Sequence, residues 1–153
     1  MEEALRTFAQ SRTAIAAVLG LTLATFRWFA WVIPQTKGVP QVYPSLIYRT
    51  VSVDRNDAYC QTGRNPGGAV TRNMNLRVYA TRYVEARAAW ETIRLELDGY
   101  HGCMQGITVQ LIRVVDENDG YDPPEDDGKA GVHYVDATLQ IEHAEPVPTF
   151  VGG

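Results

Sequence analysis

The sequence predicts an α+β domain: a mainly antiparallel sheet of about five strands with two amphipathic helices packed on one face. Two segments carry apolar residues at the 3-4-3-4 spacing of a helix, and several others alternate apolar and polar residues as strands do. Their order is helix, two strands, a long loop, a strand, a helix and two strands, which suits antiparallel pairing with helices gathered on one side. With 153 residues, one domain is expected over residues 1–143, followed by an extended tail over 144–153.

The first helix is read from Leu5, Phe8, Arg12, Ile15 and Leu19, with Gly20 as its C-cap. Phe26, Trp28, Ala30 and Val32 then alternate with Arg27, Phe29, Trp31 and Ile33, as in a strand apolar on both sides. The run Ala14 to Ile33 approaches transmembrane length, with Arg27 as its single charge. Its change of periodicity, and Glu2 and Glu3 ahead of it, favour a helix followed by a largely buried strand over a membrane span or signal peptide.

Pro34 to Pro44 reads as a proline-bearing loop, and Ser45 to Val53 (SLIYRTVSV) as a strand rich in β-branched and aromatic residues. Asp54 to Ala69 is a long polar loop of the kind that often binds something. From Val70 to Ala80, Val70, Met74, Leu76, Val78 and Ala80 share one face, with Arg72 the exception. Thr71, Asn73, Asn75, Arg77 and Tyr79 take the other, wet face. Thr81 is a candidate N-cap for the second helix, whose stripe is Tyr83, Ala86, Trp90, Ile93 and Leu97, with Arg87 and Glu91 placed to pair. Asp98-Gly99 ends it. Ile107 to Val115 is a strand, the acidic segment to Asp127 a loop, and Val132 to His143 the last strand.

Charge is divided unevenly along the chain. Residues 1–94 hold 12 basic and 6 acidic side chains, whereas residues 95–153 hold 2 basic and 12 acidic ones. Twelve of the 14 basic residues are Arg, whose planar fork pairs well with carboxylates. A solvated acidic loop explains this blandly; an interface between the basic part of one subunit and the acidic part of the next explains it more sharply. The formal net charge of -4 argues against tight nucleic-acid binding. Two cysteines, Cys60 and Cys103, make no disulfide framework and suggest a reducing compartment.

The chemical candidates are weak. His101 and Cys103 are the residue types of a thiol site, but no second histidine or acid is tied to them by spacing, and no CxxC or HxxxH element supports zinc. Gly99 and Gly102 instead suit a reversal from helix to strand. The acidic segment fails the EF-hand pattern, because glycine falls at position five counted from Asp116. GRNPGG lacks the Lys and spacing of a phosphate-binding loop, and no GxSxG, HExxH or GxGxxG occurs. No catalytic residue, cofactor or metal is expected. The aromatic residues Phe26, Trp28, Phe29 and Trp31 fit either a ligand platform or a subunit contact.

Five segments together resemble the tail-completion, or tail-terminator, proteins of long-tailed phages. They are EEALRTFAQSRTAIAAVLG, YPSLIYRTVSVDR, LRVYATRYVEARAAWETIRLELDGYHG, ENDGYDPP and VHYVDATLQIEH. The likeness rests on order and spacing from Glu2 to His143. It implies a small α+β domain that assembles into a ring, usually of six subunits. Such a ring caps the tail tube, ends its polymerisation and offers a surface for joining the head. The partners implied are other copies of the chain, the tail tube protein and the head–tail connector, or stopper, protein. DNA would pass through without specific binding, and no membrane is involved. The expected place is the head-proximal end of the tail in the virion, and the host cytoplasm during assembly. The interface candidates are Trp28 and Trp31 on the apolar strand, Arg55 and Arg64 in the long loop, and Asp122, Glu125, Asp126 and Asp127 in the acidic loop. The alternatives are another neck component such as a head-completion or stopper protein, a thiol or metal-dependent enzyme centred on His101 and Cys103, and a monomeric ligand-binding domain.

Overall fold

The computed structural model describes residues 1–22, 25–35, 37–38, 40–55, 67–124 and 131–146. Their chain order is α1 (Glu2–Ser11), α2 (Thr13–Leu19), β1 (Trp28–Ala30), β2 (Ser45–Arg55), β3 (Gly67–Ala80), α3 (Tyr83–Leu97), β4 (Gly102–Met104), β5 (Ile107–Asp122) and β6 (Val132–Pro146). The six strands form one sheet in the order β1-β2-β3-β6-β5-β4. Every neighbouring pair is antiparallel except β1 and β2. The class is α+β as expected, with one more strand and one more helix than the periodicity gives.

The alternation in the strands decides which face is covered. Leu46 and Tyr48 of β2, Met74, Leu76 and Val78 of β3, Val135, Ala137, Leu139 and Ile141 of β6, and Val109 and Ile112 of β5 all join one buried cluster. Leu5, Ile15 and Leu19 from the first two helices, and Ala86, Trp90, Ile93 and Leu97 from α3, complete it. Each large apolar side chain buried there contributes about 1.5–3 kcal/mol. Arg72, the polar residue on this face of β3, lies under the start of α1. Its Nη1 is 3.4 Å from Thr50 Oγ1 and 4.0 Å from Glu2, whose carboxylate also accepts the Thr50 hydroxyl.

The expected single N-terminal helix is two. Arg12 is extended, with φ -81° and ψ 116°, and the Ser11 hydroxyl donates to the Phe8 carbonyl at 2.6 Å, a local bond that competes with helix continuation. Arg12 then reaches Glu96 of α3, with Nε 2.6 Å from the carboxylate. The apolar strand over 26–33 shrinks to β1, because Trp31 takes φ 67° and turns the chain out of the sheet. The N-cap of α3 is Arg82 and carries no side-chain cap; the Thr81 hydroxyl bonds Glu85 at 3.3 Å instead.

The acidic segment expected to be a loop from Asp116 is strand as far as Asp122, paired with β6 down to Val132. A bulge at Gln110 carries the core face of β5 from Val109 to Ile112 and Val114, and a second at Val115 carries it on to Glu117 and Asp119, which therefore point to the helix side. There Arg87 of α3 sits 3.4 Å from Glu117 and 3.3 Å from Asp119. Arg87 therefore pairs across the fold, and Glu91 pairs with Arg94 at 2.8 Å rather than with Arg87. At the other end β6 runs past His143, with Ala144, Glu145 and Pro146 paired to Ala69, Gly68 and Gly67.

The segment after α3 also holds a strand the periodicity misses. β4 folds onto β5 through Gln105-Gly106, with φ 47° and 81°, and Met104 opposite Ile107. Two residues with positive φ make a type I′ hairpin turn. Before it, Gly99 N–H donates to the Ile112 carbonyl at 2.7 Å, and Ile112 N–H to the Tyr100 carbonyl at 2.9 Å. Among the described residues no helix is long and apolar enough to cross a membrane.

Candidate functional site

The face of the sheet away from the helices is polar and half-buried, and it is ordered by register. Pairings carry one transverse row from Arg49 to Asn75, Thr138 and Asp116, and the next from Ile47 to Arg77, Asp136 and Asn118. In the second row Arg77 Nη2 is 2.7 Å from Asp136 Oδ2, and the Asn75 amide also donates to the Asp136 carboxylate. The Arg77 guanidinium lies over the Tyr134 ring at 4.3 Å, and Tyr79 meets Tyr134 edge-on at 5.8 Å. Burial opposes the Arg77 charge, but hydrogen bonds with Asp136 and Tyr79 outweigh it and raise its pKa above the ordinary guanidinium value.

At the β2 side of this face Trp31 overhangs a cleft of about 290 Å³ lined by Ile47, Tyr48, Arg49, Asn75, Arg77 and Tyr79. Its backbone is held in the left-handed region by the N–H bond to the Tyr48 carbonyl at 3.0 Å. Trp31 is 67% exposed. That conformation costs a non-glycine residue about 1–2 kcal/mol.

The sequence candidates separate on this framework. Trp28 is 2% exposed, stacked near Phe26 at 5.8 Å and tilted to Tyr48 at 6.2 Å, so it is a core residue with no ring surface left for a partner. Trp31 is on the surface. Arg55 ends β2 beside Val70, itself paired with His143; Asp122 ends β5 beside Val132. His143 and Val132 are 11 positions apart on β6, about 36 Å at ~3.3 Å per residue. Arg55 and Asp122 are thus exposed at opposite ends of the sheet. Arg64, Glu125, Asp126 and Asp127 lie outside the described residues. Arg49, Arg77, Tyr79, Tyr134 and Asp136 are not among the sequence candidates. The alternation puts Arg77 and Tyr79 on a wet face, but only the β3–β6 register shows what stands opposite them.

His101 and Cys103 do not meet another histidine. Gly102, Val109 and His143 form one row, on the core side at Val109 and His143, whereas Cys103 is exposed on the alternate face of β4. His133 packs instead against Tyr121 at 4.7 Å and Tyr83 at 6.2 Å. Among the described residues no three His, Cys, Asp or Glu side chains gather as a metal site would need.

Solved structures share this architecture. A chain of "Virion of native gene transfer agent (GTA) particle" aligns over 95% of this chain and 95% of its own length, with TM-score 0.65 and 14% identity. At that identity the likeness is one of fold. No family model and no curated protein matches the sequence.

Proposed function

We propose that this protein is a structural component of a phage-type virion that forms a ring, of about six copies by family resemblance, at the head-proximal end of the tail. The ring caps the tail tube, ends its polymerisation and joins the tail to the head. The observation that carries the reading is the whole-length likeness of fold to a chain of a gene transfer agent virion. It agrees with the resemblance in element order to tail terminators. Subunit geometry adds support: the exposed basic and acidic candidates stand at different places on one sheet, and a ring is built from contacts between two unlike patches whose rotation closes.

The proposed partners are other copies of the chain, the tail tube protein and the stopper protein, with assembly in the host cytoplasm. The excess of acidic residues suits a channel that DNA slides through without sticking. The action is binding and steric block, without a chemical step, metal or cofactor. Replacing His101 and Cys103 together with alanine is then expected to leave tail joining unaltered, and loss of joining would favour the enzyme alternative.

Electron microscopy of the purified protein, alone and mixed with tail tubes, tests the reading. Rings seated on tube ends are expected; a protein that forms no ring and ignores tubes overturns it. The fold likeness serves a head-completion or stopper protein equally well, and binding to tailless heads in preference to tubes would select that neck role.

A further inference from the structure

We propose that the cleft beneath Trp31 receives the outer edge of β5 from a second copy of this chain, with Asp116 of that copy set against Arg49. The inference rests on the ring reading and names one contact within it. Charge is the first argument. Arg49 is exposed and has no carboxylate partner among the described residues, while Asp116 is exposed and has only the Asn118 amide, at 3.2 Å. Two unpaired opposite charges stand at the two ends of one row.

Register is the second argument. Arg49, Asn75, Thr138 and Asp116 are successive partners across β2, β3, β6 and β5, so three strand spacings, about 14 Å, separate Arg49 from Asp116 of its own chain. They cannot pair within one subunit. A copy displaced sideways by about a sheet's width brings its Asp116 beside Arg49, whereas one row on, the β2 edge at Ile47 is already taken by Phe29 of β1. The intramolecular partners of both strands stop just short of these two residues: β1 and Trp31 bond β2 no further than the Tyr48 carbonyl, and the segment from Asp98 to Met104 bonds β5 no further than Val114.

Trp31 supplies the apolar part of the contact. A large aromatic ring beside an Arg is the usual anchor of an interface, and this one is held out by a strained backbone. The contact uses different patches on the two subunits, so it propagates in one direction, as the contacts of a ring must.

Sedimentation velocity and tryptophan fluorescence test it on the full chain. Trp28 and Trp90 are buried, so a blue shift on association reports burial of Trp31. Arg49→Glu and Asp116→Arg are each expected to weaken association about tenfold or more, and the double swap to restore it to within about threefold of the original. Recovery in the double variant also shows that the single variants fold. Single variants that associate like the original, or a double variant as weak as either, overturn this contact and leave the ring reading standing. An original protein that remains monomeric at high concentration and on tail tubes overturns the ring reading itself, and this contact with it.

Discussion

Arg77 and Asp136 face each other across the β3–β6 ladder, with 2.7 Å between guanidinium and carboxylate, near the middle of the sheet's polar face. Their side chains are 29% and 22% exposed, so each is partly shielded from water. Asp136→Ala leaves the Arg77 guanidinium in the cleft without its acid and the Asn75 amide with only the Ala137 carbonyl, at 3.3 Å. The expected loss of stability is about 1–3 kcal/mol, because the cost is that of a partly buried, unpaired charge. Urea unfolding measures it; a change below a few tenths of a kcal/mol would mean the pair is no more than a surface contact.

Both partners of that pair are visible in the sequence, but not their pairing. Alternation from Val70 to Ala80 assigns Arg77 to the wet face, because period-two patterning reports which side a residue faces. Pairing partners depend on register between distant strands, here 59 residues apart, and a single strand's pattern carries no such information. The helix over Tyr83–Leu97 is legible because its stripe recurs through four turns. β4 is hidden by its three-residue length, too short for any period. The acidic segment reads as a loop because its charges look solvated; Arg87 neutralises two of them from the helix side. Of the candidate site, the sequence marks Trp31 but does not separate it from Trp28. Alternation sets the two on opposite sides of the strand without saying which side is covered; Trp28 falls on the core side of β1, and the positive φ at Trp31 turns that residue out of the sheet.

Arg87 and its acids also predict a pH effect. The Tyr83 hydroxyl donates to Asp119 at 3.0 Å, and this bond raises its pKa above the ordinary 10.0, aided by slight burial and the Asp119 charge and opposed by Arg87. A raised phenol pKa favours the neutral form in the native state. Its contribution to stability is therefore present below pH 10 and lost as pH rises through the folded value. NMR titration of the Tyr83 ring carbon, assigned with Tyr83→Phe, is expected to give a midpoint above 10, falling toward 10 in Asp119→Asn. A midpoint at or below 10 in the original protein contradicts the bond.

Gly20 closes α2 with φ 136°, and a β-carbon there would overlap the backbone carbonyl of Thr25. Neither the strained conformation nor a backbone clash can be relieved by a side-chain rotation. Gly20→Ala is expected to cost about 2 kcal/mol or more and to lower the thermal midpoint by several degrees. The connection from α2 into β1 would shift, and with it the stack of Phe26 on Trp28. A variant as stable as the original would show that this turn has an alternative path.

Trp31 tests whether strain is being kept for binding. Asn tolerates the left-handed region far better than Trp, and the exposed ring contributes little to the core. Trp31→Asn is therefore expected to unfold at the same urea concentration as the original or a higher one, with a gain of up to about 1–2 kcal/mol. Self-association should move the opposite way and weaken about tenfold or more, since the aromatic anchor is gone while Arg49 remains. The two measurements together discriminate. Lower stability with unchanged association would make Trp31 a packing residue of the monomer. Higher stability with lost association would show that the fold gives up stability to hold this ring over the cleft.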